Sequence, residues 1–122
     1  MSEIRTGEKT FTAGEDLEAR RLVKVKSGTS ESPPEVMYAD DADTPIGVTE
    51  YAVDSGDPVA IRLLNDAGTF LIEASVGSAI AVMDSLYVAN DGKVTEVASG
   101  TAYFQAAEAG SDGAHLECIR LP

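Results

Sequence analysis

The sequence predicts a mainly β fold: a small single-domain β-barrel or sandwich with short hairpins and an extended N-terminal arm. Three observations point there. Short runs rich in Val, Ile, Leu and Tyr alternate with clusters of Gly, Ser, Asp and Pro along most of the chain, the pattern of many strands joined by tight turns. The stretch LYVANDGKVTEV at 86–97 sets two alternating runs around Asn90-Asp91-Gly92, residue types that accept the positive φ of a hairpin turn. Finally, TPIGVTEYAVDSGDPVAIRL (44–63) and GTAYFQAAEAGSDGAHLECIRL (100–121) repeat one phrase of strand, glycine turn and strand. Laid over each other, 52–56 matches 106–110, and Ile61-Arg62-Leu63 matches Ile119-Arg120-Leu121, with four extra residues in the second turn. Ala13-Gly14-Glu15-Asp16 is a weaker third copy. A repeated β-turn-β unit suits approximate internal symmetry.

In chain order, MSEIRTGEKTF (1–11) is polar around isolated Ile4 and Phe11 and reads as the arm, ordered only where something holds it. The domain proper is expected over 12–122. LVKVK (22–26) alternates and is a strand, launched by a turn or by one helical turn over 15–21. SGTSESPP (27–34) is a loop, EVMYA (35–39) a strand and ADDADTP (39–45) an acidic loop. IGVTEYAV (46–53) is β-like, with Gly47 marking a bulge or a close approach of backbones. In 58–64, Val59, Ile61 and Leu63 share a face, and Pro58 at the first position costs no interior ladder bond. NDAG (65–68) is expected to close a hairpin onto TFLIEAS (69–75). VGSAIAVMDS (76–85) fits a helical turn or a strand, and 102–107 and 115–121 complete the strands.

With 122 residues, one modest core is the expectation, built from small side chains because Trp is absent and only three Phe and four Tyr are present. Association with copies of itself or with a larger partner would supplement that core. A formal net charge of −12 opposes phosphate backbones and anionic lipid, so neither nucleic acid nor membrane is an expected partner. The charge is uneven. Residues 1–30 hold six bases and five acids, whereas 31–122 hold three bases and sixteen acids, which suggests two surfaces with different work, although acidity alone also serves solubility. No apolar run reaches the roughly 20 residues of a membrane span, and MSEIRTGEK does not read as a signal peptide. A soluble protein made in a reducing compartment is expected.

Chemistry finds little footing. Cys118 is the single cysteine, placed in an alternating apolar run where a buried inert thiol is expected. His115 is the single histidine and has no nucleophile signature beside it. Asp40-Asp41-Ala42-Asp43 offers oxygen ligands but lacks the glycine and the closing glutamate of an EF-hand, so a solvated loop is favoured over calcium. No glycine pattern for cradling phosphate is present. No catalytic residue, cofactor or metal is expected, and the protein is read as a non-enzyme.

Phe11-Thr-Ala-Gly-Glu-Asp-Leu-Glu-Ala-Arg-Arg-Leu-Val-Lys-Val, Pro45-Ile-Gly-Val-Thr and Ser55-Gly-Asp-Pro-Val-Ala-Ile, followed by Asp84-Ser-Leu-Tyr-Val-Ala-Asn-Asp-Gly-Lys-Val-Thr and the closing Leu-Glu-Cys-Ile-Arg-Leu, together resemble the capsid decoration, or cement, proteins of tailed bacteriophages. Met83 departs from that pattern where Gly is expected, as does Thr101-Ala102-Tyr103 where Ile-Gly is usual. The resemblance implies a β-rich structural virion protein, often trimeric, made in the host cytoplasm, that binds the outer capsid surface through the major capsid protein and reinforces it. Ile4, Arg5, Lys9 and Phe11 are the expected capsid contact, as apolar anchors flanked by bases. The alternative is a virion surface module that recognises a host carbohydrate or receptor.

Overall fold

The structure, a computed structural model, describes residues 7–26, 33–75 and 79–122. Among these residues ten strands carry the fold: β1 (Glu8–Ala13), β2 (Leu22–Val25), β3 (Glu35–Tyr38), β4 (Gly47–Thr49), β5 (Pro58–Leu63), β6 (Phe70–Glu73), β7 (Ser85–Val88), β8 (Val94–Thr95), β9 (Ala102–Ala106) and β10 (His115–Arg120). One 3-10 turn, Asn90–Gly92, joins β7 to β8. Asp91 and Gly92 take φ of 61° and 72° there, the left-handed conformation that the Asn-Asp-Gly sequence favours.

The first five strands close a barrel in the order β1-β3-β2-β4-β5. Every neighbour pair is antiparallel except β1 with β3. Alternation sends Phe11, Ala13, Val23, Val36, Val59 and Ile61 inward, where with Leu17 they form a buried cluster. So small a barrel leaves no room at Gly47: a Cβ there would lie 2.5 Å from both the Arg62 carbonyl oxygen and Ile61 Cγ2. The close approach expected at this glycine is present.

The remaining strands form a five-stranded sheet ordered β6-β10-β9-β7-β8. It follows the path of the barrel strand for strand, β6 standing for β1 and β10 for β5. A parallel bridge between Ala74 and Val94 takes the place of the β1–β3 pairing. The halves therefore repeat one topology, and from β4 to β5 each residue is matched 57 positions later. Thr49 faces Ile61 as Ala106 faces Cys118, and Gly47 faces Leu63 as Phe104 faces Arg120. The Val53 and Gly110 amides likewise make equivalent bonds, to the Leu17 and Ile80 carbonyls.

The internal symmetry is real, but its register differs from the written one. Ile61 corresponds to Cys118, not Ile119, and no extra residues enter the second turn. A one-residue slip moves a side chain to the opposite face of a sheet. Ile61 is fully buried while Ile119 is 41% exposed.

The second half is an opened copy whose concave face closes against the barrel wall. Leu22, Ala39, Val48 and Leu64 from the barrel side pack into one cluster with Phe70, Ile72, Leu86, Phe104, Leu116 and Cys118. Phe104 occupies the position equivalent to Gly47 and meets Phe70 edge to face at 6.1 Å, filling space that the closed barrel lacks.

Two further expectations are corrected. Residues 8–11 are not part of an arm: Glu8 to Thr12 pair with β5, and Phe11 is buried in the barrel. The inward alternation is masked in the sequence because Lys9 shares the face of Phe11 and Ala13. Nor do 58–64 and 69–75 form a hairpin, since β5 pairs with β1 and β4 while β6 pairs with β10. The NDAG connection carries the chain between the two halves, and Arg62 holds it. The guanidinium donates to the Thr69 and Ala67 carbonyls at 2.6 and 2.7 Å, pairs with Asp66 at 2.9 Å, and lies 4.1 Å from the Phe70 ring centroid. Arg120 adds a bond to the Leu64 carbonyl at 3.1 Å. Over 15–21 there is no helical turn: the chain bends, Arg20 takes φ 63°, and Leu17 is bridged to Val53.

Candidate interaction surface

Of the four side chains expected to anchor a partner, Ile4 and Arg5 lie outside the described residues. Lys9 is exposed, its ammonium 5.7 Å from the Phe11 ring centroid. Phe11 itself is only 5% exposed among barrel side chains and cannot be an anchor, because leaving the barrel would empty its centre.

The structure brings together a different set. Strand alternation that buries Phe70 and Ile72, Leu116 and Cys118, and Phe104 and Ala106 turns Leu71, Glu117, Ile119 and Gln105 outward. Leu71 is paired with Glu117 on β10, and Ile119 stands opposite Gln105, which on its other side faces Ser85 of β7. The Gln105 amide nitrogen donates to the Met83 carbonyl at 3.2 Å. Leu71, Ile119 and Met83 are 40%, 41% and 62% exposed, and Val82 beside Met83 is exposed as well. Met83 has φ +75°, unfavourable for an unbranched side chain larger than Ala and suited to Gly. It is held there by a 2.8 Å bond from its amide to the Ala106 carbonyl and by the turn in which Asp84 accepts from the Ala81 amide. Thus the position that departs from the family pattern at Met83 does require a left-handed backbone. The alternation of HLECIRL carries the signal for this face: with Leu116 and Cys118 inward, Ile119 must point out.

Several ionisable groups outside this face are committed to the fold. Asp43 accepts from Lys24 at 2.6 Å and from the Asp40 amide at 2.9 Å, Asp40 accepts from the Asp91 amide, and Asn90 accepts from the Asp41 amide. The acidic loop thereby ties itself to the β7–β8 turn. The bond from Lys24, with the Asp40 amide adding to it, lowers the Asp43 pKa, and the same bond raises that of Lys24. Among the described residues, no group of three or more His, Cys, Asp or Glu is placed to hold a metal ion. His115 is exposed at the end of β10, 3.7 Å from Glu73. Cys118 is fully buried, and burial pushes its thiol up to about 12, so at neutral pH it is protonated packing material.

A family model described as phage cement protein matches residues 2–119. Among solved structures, the chain is similar to the N base of the head fibre gp8.5 of bacteriophage phi29. The identity is 23%, the match covers 93% of this chain and 92% of that one, and the TM-score is 0.79. That likeness shows a shared fold. No curated protein matches the chain.

Proposed function

Since the chain belongs to the phage cement protein family, a family of structural virion proteins, we propose that it binds the outer surface of a phage capsid through the major capsid protein and reinforces the shell. The family match, which spans nearly the whole chain, is the observation that carries this reading. The fold shared with a phage head-fibre base supports it. The protein acts as a homo-oligomer, with a trimer favoured by the symmetric sites such a lattice offers. Each copy needs only modest affinity, because simultaneous contacts from one oligomer multiply.

Ile4, Arg5 and Lys9 form the capsid contact, with the bases directed to acidic groups on the shell and Ile4 as the apolar anchor. The experiment is cosedimentation with undecorated shells. Deleting residues 2–6 together with Lys9→Ala should weaken binding at least tenfold and leave the barrel folded. Unchanged affinity would remove the contact from this end of the chain.

A further inference from the structure

We infer that the outer face of the second half, built on Leu71, Ile119, Gln105, Ser85 and Met83, is where two copies of this chain meet. This assigns a surface to the oligomer proposed above and rests on that reading. The choice of occupant follows from charge. Two copies that each carry −12 repel wherever their acidic surfaces approach, so self-association needs a face where charge is sparse. Of the six side chains placed together here (those five and Glu117), only Glu117 is ionisable, its carboxylate accepting from the Thr69 hydroxyl at 2.8 Å. The two carboxylates at the rim, Glu108 and Asp84, accept from the Glu117 and Ala81 amides. Exposed apolar side chains interleaved with uncharged polar ones are the composition of the centre of an interface, where charged residues are depleted.

A second observation concerns the repeat. Through the strand equivalences, Ser85, Gln105 and Ile119 stand where the barrel has Leu22, Val48 and Arg62. In the barrel that wall is already covered, by the second half of the same chain: Leu22 and Val48 are buried against it, and Arg62 lies on Phe70. The corresponding wall of the second half has the same strand order but no partner among the described residues, and it keeps three large exposed hydrophobic residues at its surface. Met83 adds a local reason, because a large apolar side chain is retained on a left-handed backbone that Gly would occupy without strain.

Sedimentation velocity of the full chain over a range of concentrations tests this, alongside two variants. Met83→Gly removes the side chain while easing the backbone, so the fold is kept, and it should weaken association about tenfold. Met83→Gly with Ile119→Asp should give monomers throughout. Tyr51→Ser, exposed outside this face, should associate like the parent. Raising salt from about 0.01 to 0.15 M should strengthen association, since it screens like charges and no interfacial ion pair is lost. A parent chain that stays monomeric at high concentration, or a double variant that associates normally, overturns the proposal. So does a double variant that associates normally but no longer binds shells, which would give this face to the capsid. Oligomers that dissociate as expected but never bind shells would leave this inference standing and defeat the capsid reading instead.

Discussion

Arg21 reaches across the seam between the two halves to Glu73, with 3.2 Å between its NH2 group and the Glu73 Oε2. The contact replaces part of a missing seam. In the barrel, the Thr12 amide bonds to the Pro34 carbonyl, whereas at the equivalent place in the second half the Glu73 amide bonds to Arg20 of the barrel at 2.8 Å. Gly92 likewise donates to the Ala39 carbonyl, and Arg21 donates to the Asp91 carbonyl at 3.0 Å and to Glu18 at 2.6 Å while facing the Tyr38 ring. The Arg20–Leu22 segment is therefore wedged into the opened sheet. Arg21 is 7% exposed, so stripping away Glu73 leaves a poorly hydrated charge with Glu18 as its remaining carboxylate. The same change also breaks the pair between Glu73 and Lys93 at 3.3 Å. Glu73→Ala is expected to lower the unfolding free energy by about 3 kcal/mol, the lower end for a broken buried pair, in urea denaturation. Arg21→Met with Glu73→Leu should recover most of that loss. A single-variant loss under about 1 kcal/mol, the scale of surface pairs, would mean that the contact does not hold the halves together.

Two glycines with positive φ should respond very differently to alanine. Gly92, at φ +72°, would place a Cβ 2.4 Å from the Leu22 carbonyl oxygen, at the seam itself, whereas Gly56, at φ +88°, has open space around it. Gly56→Ala carries only the backbone penalty, about 1 kcal/mol. Gly92→Ala must also push the two halves apart, and is expected to abolish cooperative unfolding as read by thermal denaturation. Equal small effects at both sites would contradict the wedge.

The register slip between the repeats is open to a direct test. Ile61→Ala empties part of the barrel interior and should cost about 3 kcal/mol. Ile119→Ala, at the position that looks identical in sequence, should fall within about 0.5 kcal/mol in the isolated chain at low concentration. Denaturant midpoints measure both, and comparable losses would restore the written alignment.

The Lys24–Asp43 pair sets a pH dependence. The Asp43 pKa is lowered from 3.8 by its bond from Lys24, so its contribution is present above that value and is lost as pH falls through the lower folded pKa. The Lys24 pKa is raised above 10.5 by the same bond, so the contribution is complete below 10.5 and disappears as pH rises through the folded value. Asp43→Asn keeps an acceptor for the Asp40 amide and removes only the charge. Its melting temperature should lie slightly below that of the parent at pH 7, and the gap should narrow as pH falls below the 3.8 reference. A gap that persists in acid would assign the effect to packing instead.

Local signals in the sequence translated well into structure, and long-range ones did not. Asn90-Asp91-Gly92 turns between β7 and β8 because its conformational preference is satisfied within three residues. The strands at 22–26, 35–39, 58–64 and 115–121 lie within a residue or so of their expected bounds. The β5–β6 connection failed because a polar four-residue loop has the same composition whether it closes a hairpin or changes sheets. Its course depends on Arg62, which reaches three loop residues and a ring beyond them. The burial of Phe11 is hidden in the sequence because its inward neighbour along the strand, Lys9, is charged at the strand's exposed start. The face of Leu71, Ile119 and Met83 joins three separate strands and turns, so only the register brings it together.

Capsid reinforcement is tested most directly by heating undecorated shells with and without saturating amounts of the protein and recording the temperature at which they rupture. Shells that carry it should rupture at a clearly higher temperature, with the gain rising in proportion to occupancy and vanishing when residues 2–6 are deleted together with Lys9→Ala. Bound protein that leaves the rupture temperature unchanged would contradict a cementing role.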